Sequence, residues 1–151
     1  MTGLPLDDQT VAYVLESQPL FEDLRHVAAQ LAGLLVLAAT GSREATPAHP
    51  MLCAAEDLFT ATLERVGRTR ATERARPHRD SLLQAAALLG EALTATRTLL
   101  GAASGAEFDR ALVPLRGSYG HLQHAARVLP GFRMVAFEQA CCAVHTPSSA
   151  S

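Results

Sequence analysis

Two pairs of potential metal ligands with helical spacing occur in the C-terminal third of the chain. His121 and His124 are three residues apart, and Cys141 and His145 are four apart. On a helix, either spacing places both side chains on one face. Imidazole and thiolate are ligands that zinc prefers, so a zinc site is one interpretation if the two segments meet. The interpretation we favour is solvated histidines and cysteines that fill small spaces, because isolated helical pairs arise often by chance.

A run of arginines lies between the second and third predicted helices. Its members are Arg65, Arg68, Arg70, Arg74, Arg76 and Arg79. Guanidinium groups bind phosphates and carboxylates through paired donors, so the run is a candidate site for an anion or an acidic partner. No aromatic residue is interleaved for stacking on bases, which argues against nucleic acid. The competing interpretation is a solvated helix end whose arginines cap carbonyls and pair with nearby acids.

The apolar seams of the predicted helices limit the chemistry that the core of a bundle can support. A buried di-metal site needs glutamates and histidines that converge from several helices. Here the seam positions are aliphatic, aromatic, alanine or threonine, with Glu56 at the edge of one seam. We therefore expect no metal or other cofactor in the core. Arg97 and Arg116 lie beside their seams and could approach a dianionic substrate inside the bundle, as arginines do in all-helical mutases, but no lysine or inward carboxylate accompanies them. The broader alternative is an enzyme or sensor with an arginine and histidine site at the bundle end or a dimer interface.

Three long segments carry apolar residues at alternating steps of four and three, which predicts helices that pack along a shared seam. The segments begin near Leu20, Leu82 and Phe108. A fourth helix with a less regular seam begins near Pro50. Short loops force neighbouring helices to run antiparallel, so the predicted fold is all-α, an up-down-up-down four-helix bundle.

The sequence predicts a short additional helix at the N-terminal end of this bundle. Pro19 restricts the residue before it and marks a break ahead of the first long helix, Leu20 to Ala39. The residues before Pro19 then form a separate amphipathic helix that carries Val11, Val14 and Leu15.

A second short helix is predicted at the C-terminal end. Ser104 to Glu107 matches a capping box that starts the last long helix, and Pro130 with Gly131 ends it. Phe132 to Val144 then form the short helix. Residues 1–145 are interpreted as a single domain and residues 146–151 as a flexible polar tail.

The seams also predict which side chains are most buried. The predicted core members are Leu24, Val27, Leu31, Phe59, Leu89, Leu93, Leu112, Leu115, Tyr119 and Leu122. The first long helix is apolar on more than one face, at Leu31 and from Leu34 to Leu37. Because one of those faces would meet water in a lone bundle, we expect a homodimer formed through this helix.

Composition narrows the class of function. The formal net charge is −2, and all thirteen basic residues are arginine. No strong field attracts nucleic acid or membrane lipid, and no apolar run approaches the ~20 residues that span a bilayer. We predict that the protein is a cytoplasmic, non-enzymatic module that binds a protein or a small ligand. The alternative is the enzyme or sensor with an arginine and histidine site.

Overall fold

The structure, a computed structural model, describes residues 5–102 and 108–134. Four α-helices contain most of these residues, and no strand occurs among them. They are α1 (Asp8–Ala39), α2 (Pro50–Arg68), α3 (Arg76–Gly101) and α4 (Phe108–Val128). The predicted all-α fold with four helices is confirmed.

The packing of the helices is consistent with a four-helix bundle. α1 contacts the other three helices, whereas α2 and α4 each contact α1 and α3 and, within the described residues, not one another. Arg65 of α2 reaches Asp23 of α1, and Met51 lies against Gly33. Residue numbers thus rise along α1 as they fall along α2, which is the pairing expected of antiparallel neighbours.

The predicted break at Pro19 is wrong, because α1 is continuous through this proline. The separate N-terminal helix is therefore the first part of α1, started by Asp7, whose carboxylate accepts from the Thr10 backbone N–H at 2.9 Å. A proline inside a helix costs about 3 kcal/mol. Here Pro19 is exposed, while Leu20 and Phe21 beside it are buried and hold the helix in the core.

The buried face of this first part of α1 also differs from the prediction. Val11 and Leu15 are exposed, whereas Tyr13, Val14 and Ser17 are buried. The face is rotated because the Tyr13 ring has a large apolar surface and its hydroxyl finds a buried partner in the core.

The apolar breadth of α1 is explained mostly within the single chain. Leu31, Leu34 and Leu35 are all buried, the last of them 3% exposed, because α1 packs against three helices at once. Leu37 is half-buried and Val36 is 62% exposed. A partner surface is therefore not required to cover Leu35, and the homodimer stays a prediction. α1 ends as predicted before Gly41, whose φ of 69° suits glycine.

α4 packs closely against α3 through small side chains. Ala111, Ser118 and Ala125 of α4 are buried, and a Cβ added at Gly117 would lie 2.9 Å from Leu88 Cδ1. This close approach turns the buried face of α4 toward α3. Leu112 and Tyr119, predicted to be among the most buried residues of the core, are half-buried.

Seven of the ten predicted core residues are buried, and Phe59 joins Leu112 and Tyr119 among the half-buried ones. The buried seven are Leu24, Val27, Leu31, Leu89, Leu93, Leu115 and Leu122.

The C-terminal predictions are tested only in part. Phe132 to Met134 are not helical, so the last short helix does not begin at Phe132 as predicted. The remainder of that helix, the capping box at Ser104 to Glu107 and the polar tail lie outside the described residues. No helix within the described ranges combines the length and the apolarity needed to cross a membrane.

Candidate functional site

A groove of about 790 Å³ lies between α1 and α4, and we call it the α1–α4 groove. Its floor and walls are the small or apolar residues Ala28, Ala29, Ala32, Leu115, Tyr119 and Gly120. Its rim carries the polar residues Glu22, Arg25, His26, Arg116 and Gln123. An apolar cleft of roughly 300–1,000 Å³ with a few polar groups is the usual form of a small-molecule site.

Small side chains on both helices open this groove. α1 presents alanines, whose single methyl groups leave the space between the helix axes unfilled, and α4 presents Gly120, where an added Cβ would meet no atom within 4 Å. Gly117, three residues earlier, holds α4 close to Leu88 of α3. α4 thus lies tightly on α3, and its opposite side faces α1 across an unfilled space.

The polar rim is cationic. Arg25 forms an ion pair with Glu22, with Nη2 2.6 Å from Oε2, and its Nη1 donates to the Arg133 carbonyl at 3.4 Å. Arg116 forms no ion pair with any described residue. Because the charge of Arg25 is balanced by Glu22, the guanidinium of Arg116 is the uncompensated charge beside the apolar floor. A guanidinium in this position suits a carboxylate.

The predicted arginine run is largely engaged in contacts that stabilise the fold. Arg65 pairs with Asp23 at 3.3 Å and Arg68 with Glu64 one helical turn away. Arg79 donates from Nε to the Thr69 carbonyl at 2.9 Å and thereby caps the C-terminal end of α2. These contacts favour the interpretation of a solvated helix end over that of an anion site.

The remaining members of the run are Arg70, Arg74 and Arg76. Arg74 donates to the Pro5 carbonyl at 3.4 Å, and Arg70 and Arg76 are exposed.

Arg97, outside the run, forms a bidentate ion pair with Glu56, with Glu56 Oε1 2.7 Å from Nε and Oε2 2.6 Å from Nη2. Glu56, the acid at the edge of the second seam, is thereby neutralised across α2 and α3.

His121 and His124 lie on α4 beside a second, more polar groove of about 590 Å³ between α3 and α4. Asp80 of α3 lines the same groove. Within the described residues, however, no group of three or more histidine, cysteine, aspartate or glutamate side chains could hold a metal ion. Cys141 and His145, the other predicted ligands, lie outside the described part of the chain, so the zinc interpretation stays a prediction.

A buried polar pair joins the beginnings of α1 and α3. The Tyr13 hydroxyl lies 2.7 Å from His78 Nδ1, and the Phe132 ring packs on the imidazole with centroids 4.1 Å apart. Burial lowers the pKa of His78 to about 4 and, as the largest cause, raises the pKa of Tyr13 to about 12. Among the residues that the structure describes, none forms a hydrogen bond with His78 Nε2. The hydrogen bond between these side chains ties α1 to α3. Because His78 has no exposed surface, the pair does not contact a ligand from solution.

Sequence reasoning missed the α1–α4 groove because it assigned Tyr119, which lines the groove, to the core. A signal was present in the small residues: Ala28 and Ala32 follow helical spacing on α1, and Gly120 lines the same groove on α4. Such stripes form either a close helix contact or an unfilled groove. Which of the two occurs depends on how α4 is rotated, and that is set by its contact with α3.

The chain was compared with protein-family models, curated proteins and solved structures, and no match was found.

Proposed function

We propose that this protein is a non-enzymatic binding module whose α1–α4 groove takes a small amphipathic ligand, an apolar body that bears a carboxylate. An apolar floor combined with the uncompensated Arg116 guanidinium on the rim supports this proposal. Burial of an apolar ligand body contributes about 25 cal/mol per Å² removed from water. The charged group then fixes which end of the ligand lies at Arg116.

The side chains of the groove favour binding over catalysis. Glu22, His26 and Tyr119 are the groups on its lining that could transfer protons. The Glu22 carboxylate is held in an ion pair by Arg25, and neither His26 nor Tyr119 forms a hydrogen bond to another described side chain. General-base catalysis needs a base held within hydrogen-bond reach of its target, usually oriented by a second group. The groove positions neither residue in this way.

Calorimetric titration with dodecanoate tests the proposal. We expect saturable binding at one site per chain, lost in Ala29→Phe, which fills the groove from an exposed position on α1. Ala61→Phe is the matched control, because Ala61 is equally an exposed helical alanine but lies on α2, away from the groove. Equal binding by both variants would contradict the location.

The role of Arg116 is tested with a second variant and a second ligand. Arg116→Gln is expected to weaken dodecanoate binding about tenfold, the equivalent of one charge-assisted hydrogen bond. Dodecanol, which has the same apolar body and no charge, should bind wild type and Arg116→Gln alike. A loss of dodecanol binding in this variant would show that Arg116 acts on the fold of the groove.

A further inference from the structure

A contact beyond the end of α4 sets the register of the two walls of the α1–α4 groove. The Gly131 carbonyl accepts from Gln18 Nε2 at 3.0 Å, and a Cβ added at Gly131 would lie 3.2 Å from Val14 Cγ1. The groove residues of α4 precede Gly131 in the chain, and those of α1 follow Gln18. Along the groove, residue numbers therefore rise on α1 as they fall on α4.

This register divides the polar residues of the rim between two ends of the groove. Arg116 of α4 lies toward Ala32 of α1, and we call this the arginine end. The other polar residues of the lining lie at the opposite end, which we call the amide end: Glu22, Arg25 and His26 of α1 and Gln123 of α4. The apolar floor lies between the two ends.

The amide end offers a hydrogen-bonding group beside a balanced ion pair. The charge of Arg25 is neutralised by Glu22 at 2.6 Å. The Gln123 carboxamide lines the groove and forms no hydrogen bond with any described residue. A carboxamide is uncharged and can both donate and accept, so it suits a hydroxyl group. A second carboxylate at this end would instead lie beside the carboxylate of Glu22.

The distance between the two ends sets the length of a ligand that reaches both. Arg116 and Gln123 are seven residues apart, so they share one face of α4 and are separated by about 10 Å along its axis. With C–C bonds of about 1.5 Å, an extended chain advances roughly 1.3 Å per carbon, so about eight to ten carbons span this distance.

We infer that the ligand of the α1–α4 groove is a medium-chain carboxylate with a hydroxyl group at its other end, the carboxylate binding Arg116 and the hydroxyl binding Gln123. The inference rests on the proposed function and specifies the class of ligand. A chain that ends in a methyl group would cover the Gln123 carboxamide without giving it a partner, which costs affinity. The amide end thus selects against an unsubstituted fatty acid.

Calorimetric titration with 10-hydroxydecanoate, decanoate and decanedioate tests the class of ligand. We expect 10-hydroxydecanoate to bind about two- to tenfold more tightly than decanoate, the effect of one net hydrogen bond. Decanedioate should bind more weakly than 10-hydroxydecanoate, because its second carboxylate lies beside Glu22. A purely apolar groove would favour decanoate, the most apolar of the three. Binding of decanoate or decanedioate at least as tight as that of 10-hydroxydecanoate would overturn the inference.

A substitution at the amide end tests which residue binds the hydroxyl. Gln123→Leu should lower the affinity for 10-hydroxydecanoate to that for decanoate and leave decanoate binding no weaker. Gln84→Leu is the matched control, because Gln84 is also an exposed helical glutamine but lines the groove between α3 and α4. A preference for the hydroxyl that survives Gln123→Leu, or that is lost in Gln84→Leu, would show that Gln123 does not bind it and would overturn the inference.

The same titrations separate this inference from the proposed function. If decanoate and dodecanoate bind wild type but not Ala29→Phe, and the hydroxyl brings no gain in affinity, the proposed function stands and the inference fails. If none of the ligands binds, both fail.

Discussion

At the scale of single residues, the buried pair of Tyr13 and His78 makes stability depend on pH. The folded state keeps His78 neutral, with a pKa of about 4, while the unfolded chain binds a proton near the ordinary value of 6.5. Between these values the unfolded state holds more protons, so stability rises with pH. The contribution is fully present above pH 6.5 and is lost as the pH falls toward 4.

We therefore predict that the free energy of unfolding drops by about 3 kcal/mol between pH 7 and pH 4 through His78 alone. Urea unfolding at a series of pH values measures this loss. The double variant Tyr13→Phe, His78→Leu, which removes both polar partners, should show a flatter profile. His124→Gln, at an exposed histidine, should keep the wild-type slope. A profile unchanged in the double variant would contradict the assignment to His78.

At the scale of elements, the rotation of α4 toward α3 decides where the groove forms. Gly117 permits the close approach to Leu88, and Gly120, one turn later, faces open space. Both glycines lie on α4, but only Gly117 has a side chain close to the position of an added Cβ. Alanine substitutions at the two positions can therefore be compared directly.

Gly120→Ala is expected to stabilise the protein by about 0.5–1 kcal/mol, the usual gain of helix propensity and lost chain entropy. Gly117→Ala has the same intrinsic gain, but its Cβ displaces the end of the Leu88 side chain, so the net gain should be smaller. Thermal unfolding followed by circular dichroism compares the two. An equal gain at both positions would show that the contact with Leu88 does not constrain α4.

The neighbours Leu35 and Val36 form a second matched pair, on α1. Leu35 is 3% exposed and Val36 is 62% exposed in the single chain. Leu35→Ala should cost about 2–5 kcal/mol, from lost transfer energy and the remaining cavity. Val36→Ala should change stability by roughly 0.5 kcal/mol or less. A large, concentration-dependent loss at Val36 would instead indicate that this residue lies in a dimer interface.

The sequence was sufficient to predict the helices but not their rotation about their axes. Seam spacing identified three of the four segments, Pro50 marked the start of the remaining one, and Gly41 correctly marked the end of α1. The break at Pro19 was wrong because propensity is a local signal, and the burial of Leu20 and Phe21 overrides it. The partnership of Tyr13 with His78 joins residues 65 positions apart, which no local pattern contains.

At the scale of the whole molecule, the candidate site exists only through the arrangement of three helices. Arg116 and Tyr119 are three residues apart on α4, but no spacing in the sequence relates them to Ala29 of α1, and α3 contributes by holding α4 in place. Four of the six arginines of the run form ion pairs or donate to backbone carbonyls within the fold, whereas Arg70 and Arg76 are exposed.

Binding of an amphipathic carboxylate in the α1–α4 groove can be located by NMR, by following backbone amide shifts while dodecanoate is added. We expect the largest saturable shifts at Ala28, Ala29, Ala32, Tyr119 and Gly120 and no comparable shifts around Arg70 and Arg76. Shifts centred on the groove beside Asp80 and His121, or no saturable shifts at all, would contradict it.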